Sequence, residues 1–396
     1  MSGATVVFYS HDTYGLGHLR RTLLLAEALE SRWPGLSQLI VTGSPLAHAF
    51  SLPRGADYVK LPSVVKVGRD RYEPPELSIA FATVRALRRD LLRATADHVR
   101  PDLVVVDNVP AGLERELVPA LLHLKRASPR TRLVLGLRDI IDSADRVRAT
   151  WRGQGVYELF DDVYDLILVY GDRSVCDVVE DYGLSERAAA KTRYVGYLRR
   201  IPDAARAADV RAELRSDGRP VVLATAGGGA DGHELLRTLL EARRRWPREA
   251  EFDCVVAPGP FAAPREQRVL AEMAANGSRA RLLDFEPDLP AYMAASDAVV
   301  SMAGYNSICE IASVGRPAVL VPRVQPRQEQ LLRARAATRR GVGRMIHPSD
   351  LTPRRLLAEV NGLLDRPPRY PMSLPLGGLA RASEELRALV EGPVAA

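Results

Sequence analysis

Apolar residues in this chain fall into short continuous runs separated by longer segments with helical spacing. Leu103-Val104-Val105-Val106, Leu166-Ile167-Leu168-Val169 and Ala318-Val319-Leu320-Val321 are such runs. Runs of that length read as strands buried on both faces, and the segments between them as amphipathic helices. Strands are predicted at 5–9, 38–41, within 57–66, and at 103–106, 132–137, 166–170 and 192–195. A second series follows at 220–225, 252–257, 281–283, 298–300, 318–321 and 341–346. Helices are predicted up to Glu30, over Glu76–Val99, up to Trp246, after Asn306-Ser307, from Thr352, and over 376–391. Strand and helix alternate, which is the pattern of doubly wound α/β domains. Gly196-Tyr197 and the Ile201-Pro202 region read as a linker, so the chain divides into 1–198, 199–372 and a tail over 373–396.

In a parallel α/β sheet, ligands bind where strands end and helices begin. Residues 297–330 hold the densest candidate chemistry at such places. The run Ala298-Val299-Val300 is followed by Gly304 and Asn306-Ser307, with Glu310 three residues past Ser307 as in a capping box. Asn306 or Ser307 is the expected N-cap. The helix start would favour an anion such as a diphosphate, and Glu310, one turn in, could reach two neighbouring hydroxyls of a ribose. Arg323, Arg327, Glu329 and Gln330 come after the next strand, on the same rim, where a Glu-Gln pair could hold a sugar. The first strand of the second series runs into Gly227-Gly228-Gly229, which allows close backbone approach to a phosphate. No Gly-Lys-Ser/Thr follows, so this is not a Walker loop.

The first strand of the chain runs into Gly15-Leu16-Gly17-His18 at a helix start. Such a position disfavours a charged imidazole, and His18 is the candidate acid–base residue, with His11 as its supporting neighbour. Other polar residues at or just after strand ends are Asp107, Glu116, Arg138 and Asp139, candidates for acceptor binding or for the base. Each could equally be a loop cap or half of an internal ion pair. The loop is not a dinucleotide fingerprint, because Arg20 stands where the third glycine belongs and the next strand ends without an acid. A nicotinamide-dependent dehydrogenase is therefore disfavoured.

Gly304, Ser307, Glu310, Gly315, Pro317, Pro322, Glu329 and Gln330 together resemble the donor half of GT-B glycosyltransferases. The stretch is most similar to the family of the lipid-II N-acetylglucosaminyltransferase, and closer still to a group of uncharacterised bacterial relatives of it. The resemblance implies two Rossmann-like domains facing a cleft, with a C-terminal helix crossing back to the first. It implies an N-terminal acceptor domain and a C-terminal domain for a nucleotide-diphosphate sugar, UDP-linked and carrying an N-acetylhexosamine. It places the 227–229 loop at the diphosphate, Phe285 and Glu286 at the base, and Gly17 and His18 on a loop facing the sugar. The reaction so implied is an inverting transfer of the sugar to a hydroxyl. The nucleotide sugar is a substrate, and no resident cofactor is expected.

Composition narrows this reading without redirecting it. The chain has 396 residues, 46% of them hydrophobic, and 55 basic against 49 acidic residues for a net charge of +6. That mild excess demands no nucleic acid. Arg85, Arg88, Arg89 and Arg93 share one face of the predicted 76–99 helix, which could lie on an anionic membrane. Three scattered cysteines suggest neither disulfide nor zinc, no apolar run reaches a membrane span, and no leader is seen, so a cytoplasmic location is expected. No Asp-x-Asp occurs to hold a metal. Two rivals keep the fold: a nucleotide-sugar hydrolase, which GLGHLRR also resembles, and a sugar 2-epimerase. A nucleotide-sugar-binding subunit without chemistry is the rival of another class.

Overall fold

The structure is a computed structural model, and it describes residues 3–12, 15–68, 71–214, 218–228, 231–276, 279–365 and 373–392. The chain forms two compact units, one of residues 1–198 with 377–396 and one of residues 199–376. The first holds strands β1 (Thr5–Ser10), β2 (Ser37–Thr42), β3 (Ala56–Lys60), β4 (Val65–Gly68), β5 (Arg71–Glu73), β6 (Leu103–Asp107), β7 (Arg132–Arg138), β8 (Leu166–Tyr170) and β9 (Thr192–Tyr194). Its main sheet is parallel, in the order β3-β2-β1-β6-β7-β8-β9, and β4 and β5 form a separate antiparallel hairpin that the sequence pattern does not announce.

The second unit holds β10 (Val221–Thr225), β11 (Asp253–Ala257), β12 (Ala280–Leu282), β13 (Ala298–Ser301), β14 (Ala318–Leu320) and β15 (Arg344–Met345). These pair in parallel in the order β12-β11-β10-β13-β14-β15. The central strands β6, β8 and β10 are buried at every position, which is why their sequences are continuous apolar runs instead of alternating ones. The C-terminal helix, Gly378–Glu391, packs on helix Gly17–Arg32 within the first unit, burying Ala382 and Leu386. Leu198 and Gly377 bridge as antiparallel neighbours where the chain leaves and re-enters that unit.

Each sheet has one point where successive connections run off in opposite directions. In the first unit it lies between β1 and β6, and in the second between β10 and β13. The loops at the carboxyl ends of those strands diverge and leave a crevice, the place where doubly wound sheets bind ligands.

The helix predicted from Glu76 begins at Phe81, and Arg88 departs from the expected basic face. Val84, Arg88, Leu92 and Ala96 follow one another at four-residue spacing and form the buried stripe of that helix. Arg85, Arg89 and Arg93 remain exposed.

Candidate active site

The switch point of the first unit gathers His11, His18, Arg21 and Asp107. Helix Gly17–Arg32 starts with no side-chain cap on its own N-cap residue, but Asp12 supplies one from the preceding loop: its Oδ1 accepts from the Leu19 amide at 3.1 Å. Ser10 and Thr42 hydroxyls donate to Asp12 Oδ2 at 2.6 and 2.9 Å, which satisfies this buried carboxylate and fixes the loop. His18 Nδ1 lies 2.5 Å from Asp107 Oδ2. Arg21, one turn on along the same helix face, donates from Nε to Asp107 Oδ1 at 3.0 Å and from its terminal nitrogen to Oδ2 at 2.6 Å.

The electrostatics of the cluster assign its protons. Burial alone would raise the pKa of Asp107, but the Arg21 charge and the hydrogen bonds from His18 and Arg21 outweigh it and hold the carboxyl well below the usual carboxylate range. Nδ1 of His18 faces a carboxylate, which only accepts, so a hydrogen on Nδ1 completes that bond, and a terminal nitrogen of Arg21 lies 3.2 Å from the same Nδ1. The His18 side chain is 16% exposed, Asp107 only 6%. The His11 ring meets that of His18 edge-on at a centroid distance of 4.3 Å. A buried carboxylate orienting a partly exposed histidine is an arrangement that suits a general base.

The other residues singled out in this unit go elsewhere. Glu116 is buried and holds no position open for an acceptor: Arg88 donates to both of its oxygens, at 2.6 and 2.7 Å, and Tyr9 to one of them at 2.7 Å. Asp139, 1% exposed, is buried just after β7 and accepts from the Tyr197 hydroxyl at 3.1 Å. Arg138 stands at the end of β7, where its amide donates to Asn108 Oδ1 at 3.1 Å, so its backbone is tied to the residue after Asp107.

The switch point of the second unit brings together the glycine loop after β10, the helix Tyr305–Val314 after β13, and the loop after β14. The capping box expected there does not form. Gly304 is the N-cap, a residue with no side chain to cap with, and Ser307 lies inside the first turn. The first amides of such a helix start favour an anion. A Cβ placed on Gly227 or on Gly304 would come 3.7 or 3.8 Å from Ser307 Oγ, so the glycine loop and the helix start border one small space. Gly259, with φ at +89°, closes it from β11: a side chain there would strike Gly227 O at 2.4 Å. Gly228 belongs to the same turn, and Gly229 lies outside the described residues.

Glu310 is buried, and Arg200 reaches its Oε1 at 3.4 Å while also donating to Pro287 O at 3.2 Å. Arg323 bridges two loops, pairing with Asp231 beyond the glycine turn and with the buried Glu329, while its amide donates to Gln330 Oε1 at 3.0 Å. Glu286 Oε1 accepts from the Asp288 amide at 2.8 Å, which shapes the turn that carries Phe285. Asn306 is in the first turn of the 305–314 helix. Among the described residues, no group of three or more His, Cys, Asp or Glu is placed to hold a metal ion.

Arg21, Asp12, Arg200 and Asp231 are absent from the sequence reading. Arg21 had a signal, being three residues from His18 and so on its helix face. Asp231 sits within the glycine segment, whereas nothing local distinguishes Asp12 or Arg200.

The family model of the glycosyltransferase family 28 C-terminal domain matches residues 223–383. The matched segment contains Gly227, Gly228, Gly259, Gly304, Glu310, Arg323, Glu329 and Gln330. Among curated proteins, the chain is 30% identical over 212 residues to a UDP-N-acetylglucosamine–N-acetylmuramyl-(pentapeptide) pyrophosphoryl-undecaprenol N-acetylglucosamine transferase of Methylobacterium nodulans, covering 52% of this chain and 57% of that one. It is 28% identical to the protein of that name in Clavibacter sepedonicus, over 93% of this chain and 88% of that one. For several further relatives of the same name the chain spans between 38% and 59% of their length. The fold is shared with MurG of Acinetobacter baumannii, at a TM-score of 0.56 and 15% identity over 98% of this chain and all (100%) of that one. It is also shared with the calicheamicin glycosyltransferase CalG4, at a TM-score of 0.62 and 21% identity over 100% of both chains. The chain therefore has the GT-B fold, and residues 223–383 match the family 28 model.

Proposed function

We propose that this protein transfers a sugar from a nucleotide-diphosphate donor to an acceptor hydroxyl, with inversion and without a metal. The observation that carries the proposal is the His18–Asp107 pair at one switch point, together with the glycine turn that borders a helix start in the segment matching the family 28 model. The first unit holds the acceptor and the second the donor. The relatives' printed name specifies a UDP-linked N-acetylglucosamine donor, which favours a UDP-N-acetylhexosamine here.

His18 Nε2 takes the proton of the acceptor hydroxyl as its oxygen attacks the anomeric carbon. The bond from that carbon to the diphosphate breaks, and the departing diphosphate keeps the electron pair. Asp107 stabilises the imidazolium that forms, by the charge-assisted bond to Nδ1. Amides at the start of helix 305–314 and in the 227–228 turn face the leaving charge, fixed before the reaction and so costing no reorganisation. Glu310 holds the ribose, Phe285 and Glu286 border the base, and Glu329 and Gln330 meet the sugar. His11 and Arg138 line the acceptor side. No resident cofactor takes part.

The proposal includes a peripheral contact with an anionic membrane. Val67, Leu77, Ile79 and Leu87 are exposed large apolar side chains falling within 67–87, and exposed Arg85, Arg89 and Arg93 accompany them. Apolar side chains beside guanidinium groups suit the headgroup region of a bilayer. No helix among the described residues is long and apolar enough to cross one.

The test is nucleotide release from a panel of UDP-, TDP- and GDP-sugars, with wild type and His18→Ala. Binding of one UDP-sugar with negligible turnover until an acceptor is added, and loss of that turnover in His18→Ala, is the expected result. Rapid His18-dependent release of free sugar without acceptor would make the protein a hydrolase instead. Interconversion of the sugar at C2 would make it an epimerase.

A further inference from the structure

A second buried ionic cluster lies in the first unit, and the reaction as derived does not use it. Arg88 is fully buried on helix Phe81–Val99. Its Nε and one terminal nitrogen grip the Glu116 carboxylate. The same terminal nitrogen reaches His11 O at 3.4 Å, and the other donates to Pro62 O at 2.7 Å. Tyr9 donates to Glu116 and accepts from the Leu113 amide at 3.3 Å. One guanidinium therefore ties together three segments: the loop after β1 that carries His11 and precedes the helix of His18, the segment after β3, and the loop that descends from Asp107 to Glu116.

Those two loops are also where the backbone is forced. Asp12, Asn108, Glu114 and Arg115 are four of the six non-glycine residues with positive φ among the described residues, at 33°, 62°, 45° and 62°. L-residues adopt that region at a cost, so a surrounding structure must impose it. Glu116 follows Glu114 and Arg115 directly, and the Arg88 grip is the anchor at that end of the loop. Gly43 shows how closely the β1 side is held, since a Cβ there would lie 2.2 Å from His11 O and 2.9 Å from a terminal nitrogen of Arg88.

We propose that Arg88 and Glu116 are a positioning pair that sets the β1 loop against the β6 loop and so fixes the His18–Asp107 geometry. A buried ion pair adds little stability over an apolar pair of equal volume, but it fixes direction and register through its bonds. Here the bonds run to the backbone beside one dyad member and to the loop that begins at the other. The inference rests on the reading of His18 and Asp107 as the acid–base pair.

The test uses the full chain labelled with 15N-histidine, with the His18 ring signals identified by their loss in His18→Gln. In Arg88→Lys, which keeps the charge but not the two-pronged grip, the His18 Nδ1 signal moves from its wild-type position. In the same variant kcat falls roughly 10–100-fold while the donor KM is unchanged, as expected for displaced reacting groups. A lower Tm with the His18 signals and kcat as in wild type would overturn the proposal, leaving the pair a purely structural one. If Arg88→Lys does not fold, Glu116→Gln carries the test, because it keeps the shape of the side chain and removes the charge that Arg88 grips. Unmoved His18 signals in that variant would likewise overturn it. The spectra decide even if wild type turns over no nucleotide sugar, so failure of the proposed reaction and failure of the positioning role are separable.

Discussion

Asp107→Asn separates the two jobs that Asp107 does. The substitution is nearly isosteric and removes one negative charge from a cluster that is 4–6% exposed at Arg21 and Asp107. Two losses follow. Arg21 is left as a buried cation without its carboxylate, which costs about 3–5 kcal/mol for a broken buried pair. For a unit of this size that lowers Tm by roughly 6–20 °C, at about 2–4 °C per kcal/mol. Separately, the asparagine amide can turn either end toward Nδ1, so His18 is no longer held with its hydrogen on that nitrogen. Loss of an oriented base lowers kcat by roughly 10²–10⁴-fold. The donor KM stays constant, because the donor residues belong to the second unit. The double variant Asp107→Asn/Arg21→Met removes the stranded cation as well. Its Tm returns toward wild type while kcat stays low. The assay is nucleotide release with the donor and acceptor that wild type uses, beside thermal unfolding of all three proteins. If Asp107→Asn loses stability but keeps kcat within about threefold of wild type, which is under roughly 0.7 kcal/mol of barrier, Asp107 is the counterion of Arg21 and not the partner of the base.

Other perturbations report on the second unit, the thiols and the surface. In Glu310→Gln the charge-assisted bonds to a ribose weaken by about 1.5–3 kcal/mol, so the Kd for UDP rises roughly 10–150-fold by calorimetry; an unchanged Kd would give Glu310 to Arg200 alone. In Gly259→Ala the new methyl would strike Gly227 O in a backbone region that disfavours alanine, so UDP binding is lost while the first unit keeps its Tm; normal binding would remove the glycine turn from the donor site. Burial pushes the thiol of Cys176 up to about 12 and that of Cys254 up to about 11. A raised thiol pKa adds stability that is present below the ordinary value near ~8.5 and lost as pH rises through the folded value. At pH 8 these two thiols therefore stay unreactive to a disulfide reagent until the chain unfolds, and rapid labelling of the native protein would contradict their burial. Co-sedimentation with vesicles of anionic lipid should fall in Leu77→Ser/Ile79→Ser and with added salt, whereas retention of binding in both conditions would place the contact elsewhere.

The course of the fold is written in the sequence because parallel sheets demand it. A strand covered on both faces must be apolar throughout, so β6, β8, β10 and β14 stand out as runs, and the glycines after β1 and β10 mark their loops. The hairpin β4–β5 is different. It is short, and Val65–Gly68 shows no position fully buried, so no apolar period betrays it. The helix start at 304–307 departs from the expected Asn306 or Ser307 cap for a related reason. Asn306 and Ser307 have the chemistry of caps, but Gly304 already has the extended backbone of an N-cap, and the turn begins there.

Polar residues in the site were legible when their role depends on local spacing, and obscure when it depends on a partner far along the chain. His18 could be read from its glycines and helix start. That Asp107 is its partner and Glu116 is not depends on which arginine each acid meets across the fold. Glu116 and Asp107 are both acids shortly after an apolar strand, and local sequence weighs them equally. The difference is made by Arg88, whose place on the buried stripe between Val84 and Leu92 draws Glu116 inward, and by Arg21, whose place one turn beyond His18 draws Asp107 toward the base. Both arginines were visible as helix-face neighbours in the sequence. Reading a charged residue at four-residue spacing among apolar ones as buried and paired, instead of as part of a solvated face, would have assigned both acids. The acid held by a buried arginine alone is drawn into the interior, and the acid shared between an arginine and the histidine is the one placed to orient the imidazole.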